Sequence, residues 1–152
     1  MGDILETVLI VDDDPALLEL LQHALPRTWT QPPLRVLTAA TLAEALVLLG
    51  QMPIDLVVLD LLLPGSNGLA AVQTILHAMQ TTLGRLLPVV VISGYLSDTI
   101  EEQALRVGMQ ACVQKGNLDF PTRLAVAMRS SWARHSYIEE RLRLLREASA
   151  DG

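Results

Sequence analysis

Five runs of β-branched and apolar residues alternate with helical patterns along this chain, and that alternation limits the folds it can adopt. The runs predict buried strands over residues 4–11, 34–38, 55–59, 88–92 and 110–114. Helical spacing of apolar residues covers 15–25, 41–50, 67–82, 97–107 and the segment from 119 onward. Strands and helices that alternate through short loops form a parallel sheet with right-handed crossovers. The sequence therefore predicts an α/β fold.

Length and composition fit one domain with an appendage. Of the 152 residues, 51% are apolar but only 3% are aromatic, which suits strands covered by helices on both faces. Asp60 and Pro64 interrupt one apolar run, and Ser93 and Gly94 another, well short of the ~20 residues of a membrane-spanning helix. The first residues carry acids and lack the basic segment of a signal peptide. We therefore expect a soluble, cytoplasmic protein.

The cysteine count and the net charge argue against further classes of function. Cys112 is the only cysteine, which excludes an internal disulfide and a cysteine-based metal cage, and we expect it to be a buried core thiol. The net charge of −6 gives no general attraction to nucleic acid, and the basic residues lie mostly on the last helix among glutamates. We expect no nucleic-acid partner and no membrane partner.

The last helical segment is longer than a domain of this size. Nothing breaks a helix between Asp119 and about Ser149, and about 30 residues at 1.5 Å each extend about 45 Å. Within it, residues at alternating spacings of four and three form a heptad row, which comprises Leu124, Met128, Ser131, His135, Ile138, Leu142 and Leu145. The helix is therefore expected to outgrow the domain.

Two interpretations of this helix differ in what covers its apolar row. An amphipathic helix packed on its own domain is expected up to about residue 130. Beyond that point we expect a coiled coil that joins two copies or leads to another domain, with Glu139 and Arg143 as an ion pair on its outside. The chain is accordingly divided into a domain over residues 1–130 and a coiled-coil or linker segment over 131–152.

Acidic residues follow the first and third predicted strands. Asp12 and Asp13 come directly after the first run, and Asp60 ends the third. Because open α/β sheets bind ligands at the carboxyl ends of their strands, we expect these carboxylates to converge. Three carboxylates at one place repel each other and raise at least one pKa unless a cation neutralises them. A hard divalent ion such as Mg²⁺ suits such a set of oxygen ligands.

Other polar residues near the strand ends need separate explanations. Asp14 directly precedes Pro15 and suits the N-cap of the first helix, so we interpret it as a cap. Ser93 follows the fourth strand and Lys115 the fifth. A lysine offers positive charge to an anionic group, and a hydroxyl donates to a phosphoryl oxygen. Either residue alone would be ordinary surface, but their joint placement beside the acids favours a site.

The combined pattern is specific: an acidic pair after strand one, an Asp after strand three with Leu-Pro-Gly-x-x-Gly close behind, Ser-Gly after strand four and Lys after strand five. Over about residues 4–130 it resembles the receiver domain of the two-component response regulator family. The resemblance implies a flavodoxin-like, doubly wound (βα)5 fold. Its five-stranded parallel sheet would have the order 2-1-3-4-5, followed by an extended C-terminal helix.

The resemblance also implies a role for each matching residue. Asp60 would accept a phosphoryl group from a histidine kinase or phosphotransfer protein, Ser93 would bond that group, and Lys115 would pair with it. Asp13 would hold Mg²⁺ directly and Asp12 through water, and the protein ligands of the ion would be Asp12, Asp13, Asp60 and the backbone carbonyl of Leu62. The chain would then catalyse only its own phosphorylation and dephosphorylation, and would otherwise not be an enzyme.

Several positions depart from the family pattern or tune it. Cys112 occupies the place of a switch Tyr or Phe, so the usual coupling of that ring to Ser93 is in doubt. Gly116 follows the lysine where a proline is common. Leu62 stands where many relatives have a polar residue, so we expect it to shield the phosphoryl group and slow self-dephosphorylation. Tyr95, two residues after Ser93, is expected to be a second tuning residue.

Two alternative functions remain open at this point. A pseudo-receiver would bind partners without being phosphorylated, and Cys112 leaves room for that. The Asp-x-Asp of residues 12–14 also resembles the opening motif of haloacid-dehalogenase-type phosphohydrolases, in which Asp12 would be the nucleophile, although Pro15 departs from that motif. In the receiver interpretation, we also expect a homodimer through the last helix and an output domain beyond residue 152.

Overall fold

The computed structural model describes residues 4–29, 33–65 and 68–151, and it confirms the predicted sheet. Five parallel strands lie in the order β2-β1-β3-β4-β5. Their bounds are β1 Thr7–Val11, β2 Arg35–Ala39, β3 Leu56–Asp60, β4 Val89–Ser93 and β5 Ala111–Gln114. Because each strand is followed by a helix that runs back along the sheet, the next strand begins at the same end as the one before it. All five carboxyl ends therefore lie on one side of the molecule.

Helices cover both faces of this sheet. Their bounds are α1 Pro15–Thr28, α2 Leu42–Gln51, α3 Gly68–Ala78, α4 Asp98–Arg106 and α5 Phe120–Asp151. Side chains alternate along each strand, so that Leu9 packs with α2 and α3 while its neighbour Ile10 packs with α1 and α5. Of the helices in the described ranges, none combines the length and the apolar character that a membrane crossing requires.

Side-chain caps fix the beginnings of three helices. Asp14 accepts a hydrogen bond from the backbone N–H of Ala16 at 3.0 Å, which confirms its interpretation as the N-cap of α1. Thr41 accepts a hydrogen bond from the backbone N–H of Glu44 at 3.1 Å and caps α2. Ser97 caps α4 through the N–H of Ile100. Each cap satisfies a backbone donor that the first turn of a helix leaves unpaired.

The first strand is shorter than predicted. The apolar run begins at residue 4, but β1 begins at Thr7. The carboxylate of Asp55 explains the difference, because its Oδ2 accepts hydrogen bonds from the N–H groups of Glu6 and Thr7 at 3.0 and 2.9 Å. A side chain just before β3 therefore binds the backbone at the start of β1.

The third helix also differs from the prediction, which treated residues 67–82 as one helix. The α-helix ends at Ala78, and a π-helical turn continues it from Met79 to Leu83. Met79 is fully buried, and the backbone N–H of Leu87 lies 3.3 Å from its sulfur. Gly84 ends the turn in the left-handed conformation with φ 69°, which favours glycine.

The last helix runs antiparallel to the strands and leaves the domain on the side opposite the carboxyl ends. Its buried residues end at Ser131 and Trp132. Two arginines anchor it at this exit: Arg129 donates to the carbonyl of Thr28 and stacks on Trp29, and Arg134 donates to the carbonyl of Gln110 at 2.7 Å. Thr28 ends α1 and Gln110 precedes β5, so both anchors lie at the amino edge of the sheet.

One predicted ion pair on this helix is wrong. Arg143 contacts Glu140 and Glu147 instead of Glu139. Glu139 lies 3.2 Å from Nε2 of His135. Both arrangements are allowed because residues three and four apart are neighbours on a helix surface, and Arg143 has an acid on each side of it.

The division of the chain at residue 130 stays a prediction.

Candidate functional site

The carboxyl edge of the sheet brings together the polar residues that follow the strands. Asp60 is the last residue of β3 and Ser93 the last of β4, while Asp12 directly follows β1 and Lys115 directly follows β5. Asp12, Asp60 and Ser93 are buried. Because β1, β3 and β4 are neighbours in the centre of the sheet, their ends form one crevice, as expected for an open α/β fold.

Asp12 has a partner for each of its carboxylate oxygens. Oδ1 accepts from the backbone N–H of Asp14 at 2.9 Å, and Oδ2 accepts from Nζ of Lys115 at 2.8 Å. The side chain has no exposed surface. A buried carboxylate is costly unless it is paired, so the contact with Lys115 offsets much of the cost of burying Asp12.

Asp60 lies beside the same lysine. Its Oδ2 is 3.4 Å from Nζ of Lys115, and its Oδ1 accepts from the backbone N–H of Leu62 at 3.1 Å. Burial raises the pKa of Asp60 above its ordinary value, and the charge of Asp12 raises it further. The Leu62 N–H and Lys115 act in the opposite direction but do not cancel the rise.

Lys115 is the only lysine of the chain. Burial alone would lower its pKa, but the hydrogen bond and charge of Asp12 together with Asp60 raise it, so that the ammonium stays protonated. Its backbone N–H donates to the carbonyl of Ser93 at 2.8 Å and fixes the end of β5 against β4. The next residue, Gly116, has φ 100°, a conformation that a proline could not adopt.

Three carboxylates at this edge form a set that could hold a cation. Oxygen atoms of Asp12, Asp13 and Asp60 all lie within 4.8 Å of one another. Asp13 is exposed, so one side of the set is open to solvent. Clustered oxygen donors with an open side fit Mg²⁺, which keeps several waters and takes few protein ligands.

The Ser93 hydroxyl is engaged within its own loop. The hydroxyl donates to the carbonyl of Tyr95 at 2.9 Å. The backbone N–H of Tyr95 lies 3.3 Å from Oγ of Ser93. Tyr95 is 69% exposed. Leu62 is also exposed, at 68%, on the loop that follows Asp60. Two large side chains therefore flank the crevice without being packed into the core.

Cys112 is less buried than predicted. It is half-buried on β5, because this strand lies at the edge of the sheet and pairs only with β4. Burial raises its pKa to about 11, with a contribution from Glu101, so the thiol stays protonated at neutral pH. It packs against the core on the side of α2, α3 and α4.

Two features of the site were missed in the sequence. Asp12 and Asp60 each accept a hydrogen bond from the N–H two residues further on, so the same turn follows both strands. The signal is visible in the sequence, because an aspartate directly after or at the end of a strand favours such a turn. The second missed signal is that Lys115 is the only lysine of the chain, although its position after the fifth strand was part of the prediction.

Comparison with known proteins shows which family this chain resembles in sequence. Residues 8–124 match the family model described as the response regulator receiver domain. The chain belongs to this family. It is 33% identical over 141 residues to the response regulator protein PilR of Pseudomonas aeruginosa, with 90% of this chain and 30% of PilR covered. It is 34% identical over 128 residues to the transcriptional regulatory protein KdpE of Mycobacterium tuberculosis, with 83% of this chain and 52% of KdpE covered.

The fold of this receiver domain matches solved structures as well. A CheY-like response regulator receiver domain from Methanospirillum hungatei has a TM-score of 0.69 and 23% identity, with 88% of this chain and 98% of that chain covered. The match therefore covers nearly all of that solved chain and most of this one. It spans about a third of PilR and about half of KdpE.

Proposed function

We propose that this receiver domain accepts a phosphoryl group on Asp60 from a histidine kinase or phosphotransfer protein. The observation that carries the proposal is the position of Asp60, buried at the carboxyl edge with Oδ2 3.4 Å from Lys115 and within a cluster of three carboxylates. An oxygen of Asp60 would attack the phosphorus of a phosphohistidine. The P–N bond would break, its electron pair would stay on the histidine nitrogen, and an acyl phosphate would form.

The cofactor that we propose is Mg²⁺. Asp13, Asp60 and, through water, Asp12 would hold it, together with the backbone carbonyl of Leu62. When bound, it would neutralise negative charge on the transferring phosphoryl oxygens. The raised pKa of Asp60 supports this proposal, because burial and Asp12 disfavour a bare carboxylate there.

Lys115 and Ser93 would bind the phosphoryl group once it is on Asp60. Lys115 already contacts Asp60, so its ammonium needs little movement to reach a phosphoryl oxygen. The Ser93 hydroxyl would exchange the Tyr95 carbonyl for the phosphoryl group. Because Cys112 replaces the usual aromatic side chain, we propose that this exchange is coupled to Tyr95 and its loop instead of to a ring on β5.

Two observations disfavour the phosphohydrolase alternative. Residues 8–124 match the response regulator receiver family, in which the phosphoryl acceptor is the aspartate at the end of the third strand, here Asp60 and not Asp12. Asp14, the second acid of that motif, caps α1. The pseudo-receiver alternative gains no support, because Asp12, Asp13 and Asp60 lie together and Lys115 contacts Asp60. We therefore propose that the chain acts on no substrate other than its own Asp60.

The proposed partners follow from the same interpretation. A kinase or phosphotransfer protein supplies the phosphoryl group in the cytoplasm, and a second copy of the chain binds along the last helix. Because this chain covers only 30% of PilR and 52% of KdpE, we also propose that an output domain follows α5. We propose no contact with nucleic acid or membrane by the receiver domain itself.

The function is tested by incubating the chain with acetyl phosphate and Mg²⁺ and locating the label by mass spectrometry after reductive trapping. Wild type should carry one label on Asp60, and Asp60→Asn should carry none. Asp14→Asn is the matched control, because asparagine keeps the cap and removes a neighbouring acid. A label on Asp12 in the Asp60→Asn chain would favour the phosphohydrolase. Failure to bind beryllofluoride with Mg²⁺ would favour the pseudo-receiver.

A further inference from the structure

The end of α5 leaves a long stretch of helix outside the domain. Every residue from Tyr137 to Asp151 is exposed, whereas Ser131 and Trp132 are still buried. At 1.5 Å per residue, the part beyond Trp132 extends for about 28 Å. A lone helix of this length is only marginally stable in water, because its backbone hydrogen bonds barely offset the conformational entropy that it loses.

Charged and apolar residues lie on different sides of this free helix. Arg143 bonds with Glu140 and Glu147, which follow each other along one side. Ile138, Leu142 and Leu145 are 49 to 60% exposed and form a row on another side, at spacings of four and three residues. The ion pairs need no partner protein, but the apolar row leaves three large side chains in water.

The row is a continuation of the buried face of the same helix. At the preceding positions of the heptad, Leu124, Met128 and Ser131 have no exposed surface, because the domain covers them. His135 lies between the two parts and is half-buried, with its ring 5.8 Å from that of Trp132. One row of side chains is therefore covered by the domain in its first half and uncovered in its second.

We infer that the row of Ile138, Leu142 and Leu145 binds the same row of a second copy of this chain. The inference rests on the proposed pairing through α5 and names the side of the helix that makes the contact. Two identical rows are complementary under twofold symmetry, because each apolar residue meets an apolar residue.

The distribution of charge favours a second copy as the occupant. Residues 133–151 contain four arginines and four acidic residues, so this segment has no net charge, whereas the whole chain carries −6. Two acidic domains repel each other, and the charge-balanced helices are where two copies approach with the least repulsion. With only three apolar layers, the interface is small, and we expect a dissociation constant in about the micromolar to millimolar range.

Leu142 and Leu144 provide a matched pair of variants. Each is 49% exposed in the single chain, but two residues correspond to about 200° around the helix, so the two side chains point to opposite sides. Leu142→Glu would place two carboxylates within the proposed contact, and Leu144→Glu would leave them in solvent. Leu142→Ala removes apolar surface without adding charge or lowering helix propensity.

The dissociation constant is measured by sedimentation equilibrium of the full chain. We expect Leu142→Glu to raise it at least about tenfold, Leu142→Ala to raise it less, and Leu144→Glu to change it less than about twofold. Wild type that stays monomeric up to about millimolar concentration would overturn both the pairing and the named row. A dimer that Leu144→Glu disrupts and Leu142→Glu preserves would overturn only the row. Labelling of Asp60 in the same samples reports separately on the receiver chemistry.

Discussion

The crevice at the carboxyl edge and the free end of α5 differ in how their side chains are partnered. At the crevice, Asp12 and Asp60 are buried, and each of their oxygens contacts a lysine or a backbone N–H. On the free helix, ion pairs form within the helix, while the apolar side chains have no cover. The buried carboxylates of the first region therefore have partners within one chain. The apolar row of the second region is left half exposed.

The largest expected change in stability comes from replacing a leucine of the covered row, and the matched change in the uncovered row should be small. Leu124→Ala should lower the free energy of unfolding by about 2 to 5 kcal/mol, because Leu124 is fully buried and a cavity would remain. Leu142→Ala should change it by less than about 0.5 kcal/mol in the monomer, since the side chain is half in water. Urea unfolding at low protein concentration measures both. Equal losses would show that the domain also covers Leu142.

A second prediction concerns the lifetime of the acyl phosphate at the crevice. Leu62→Asn should shorten the lifetime of phosphorylated Asp60 by about tenfold, because an amide beside Asp60 can hold a water molecule that leucine cannot. The measurement is loss of label after the phosphodonor is removed. Leu62→Ala is the control that removes bulk without adding a hydrogen bond. An unchanged lifetime in both variants would mean that Leu62 neither shields the site nor leaves a place for water.

A third prediction tests whether the crevice is strained without a cation. Asp60→Asn should raise the free energy of unfolding by about 1 kcal/mol at pH 7 in the absence of Mg²⁺, because it removes a buried charge next to Asp12. In wild type, Mg²⁺ at ten times its dissociation constant should restore about 1.4 kcal/mol. Asp60→Asn should gain less from Mg²⁺, because a ligand of the cation is missing.

The pH dependence of this difference follows from the raised pKa of Asp60. A carboxyl group with a raised pKa in the folded state favours folding most when it is protonated, and that contribution is lost as pH rises through the folded pKa. The advantage of Asp60→Asn should therefore be largest at neutral pH and should vanish near pH 4, about the pKa of an unfolded aspartate. An advantage that is constant from pH 4 to about pH 7 would argue against this origin.

The smallest effect should come from His135, at the boundary between the covered and uncovered rows. Burial and the nearby Arg85 lower the pKa of His135, although Glu139 opposes them. The unfolded chain therefore takes up a proton more readily, and stability should fall as pH drops below about 6.5. His135→Gln should remove about 0.5 kcal/mol of this dependence, measured by urea unfolding at pH 7 and about pH 5. If the free energy of unfolding changed equally with pH in the variant and in wild type, the pH dependence would belong to other groups.

The fold could be predicted because local signals agree with it. Buried β-branched runs mark the strands, and Asp14, Thr41 and Ser97 mark where helices begin. The strand order came from a resemblance and not from periodicity, since periodicity contains no information on which strands are neighbours. Asp55 shortened β1 through bonds across about 50 residues of chain, a contact that no local pattern reveals.

The convergence of the site residues could also be predicted, but not their contacts. A parallel sheet places the residues after its strands at one edge, so Asp12, Asp60 and Lys115 had to be close. Their bonds depend on side-chain lengths and on the turn after each strand, and the sequence did not reveal that Lys115 binds Asp12 more closely than Asp60. The ion pairs of α5 were mispredicted because several acids lie within reach of Arg143.

The two arginine anchors at the exit of α5 make the free helix a lever. Arg129 and Arg134 attach it to the end of α1 and to the start of β5, respectively, within little more than one helical turn. From Arg134 to Asp151 the helix extends about 25 Å, so a tilt of about 5° at the anchors moves its tip by about 2 Å. A displacement of β5 too small to disturb the core would thus be amplified at the far end of α5.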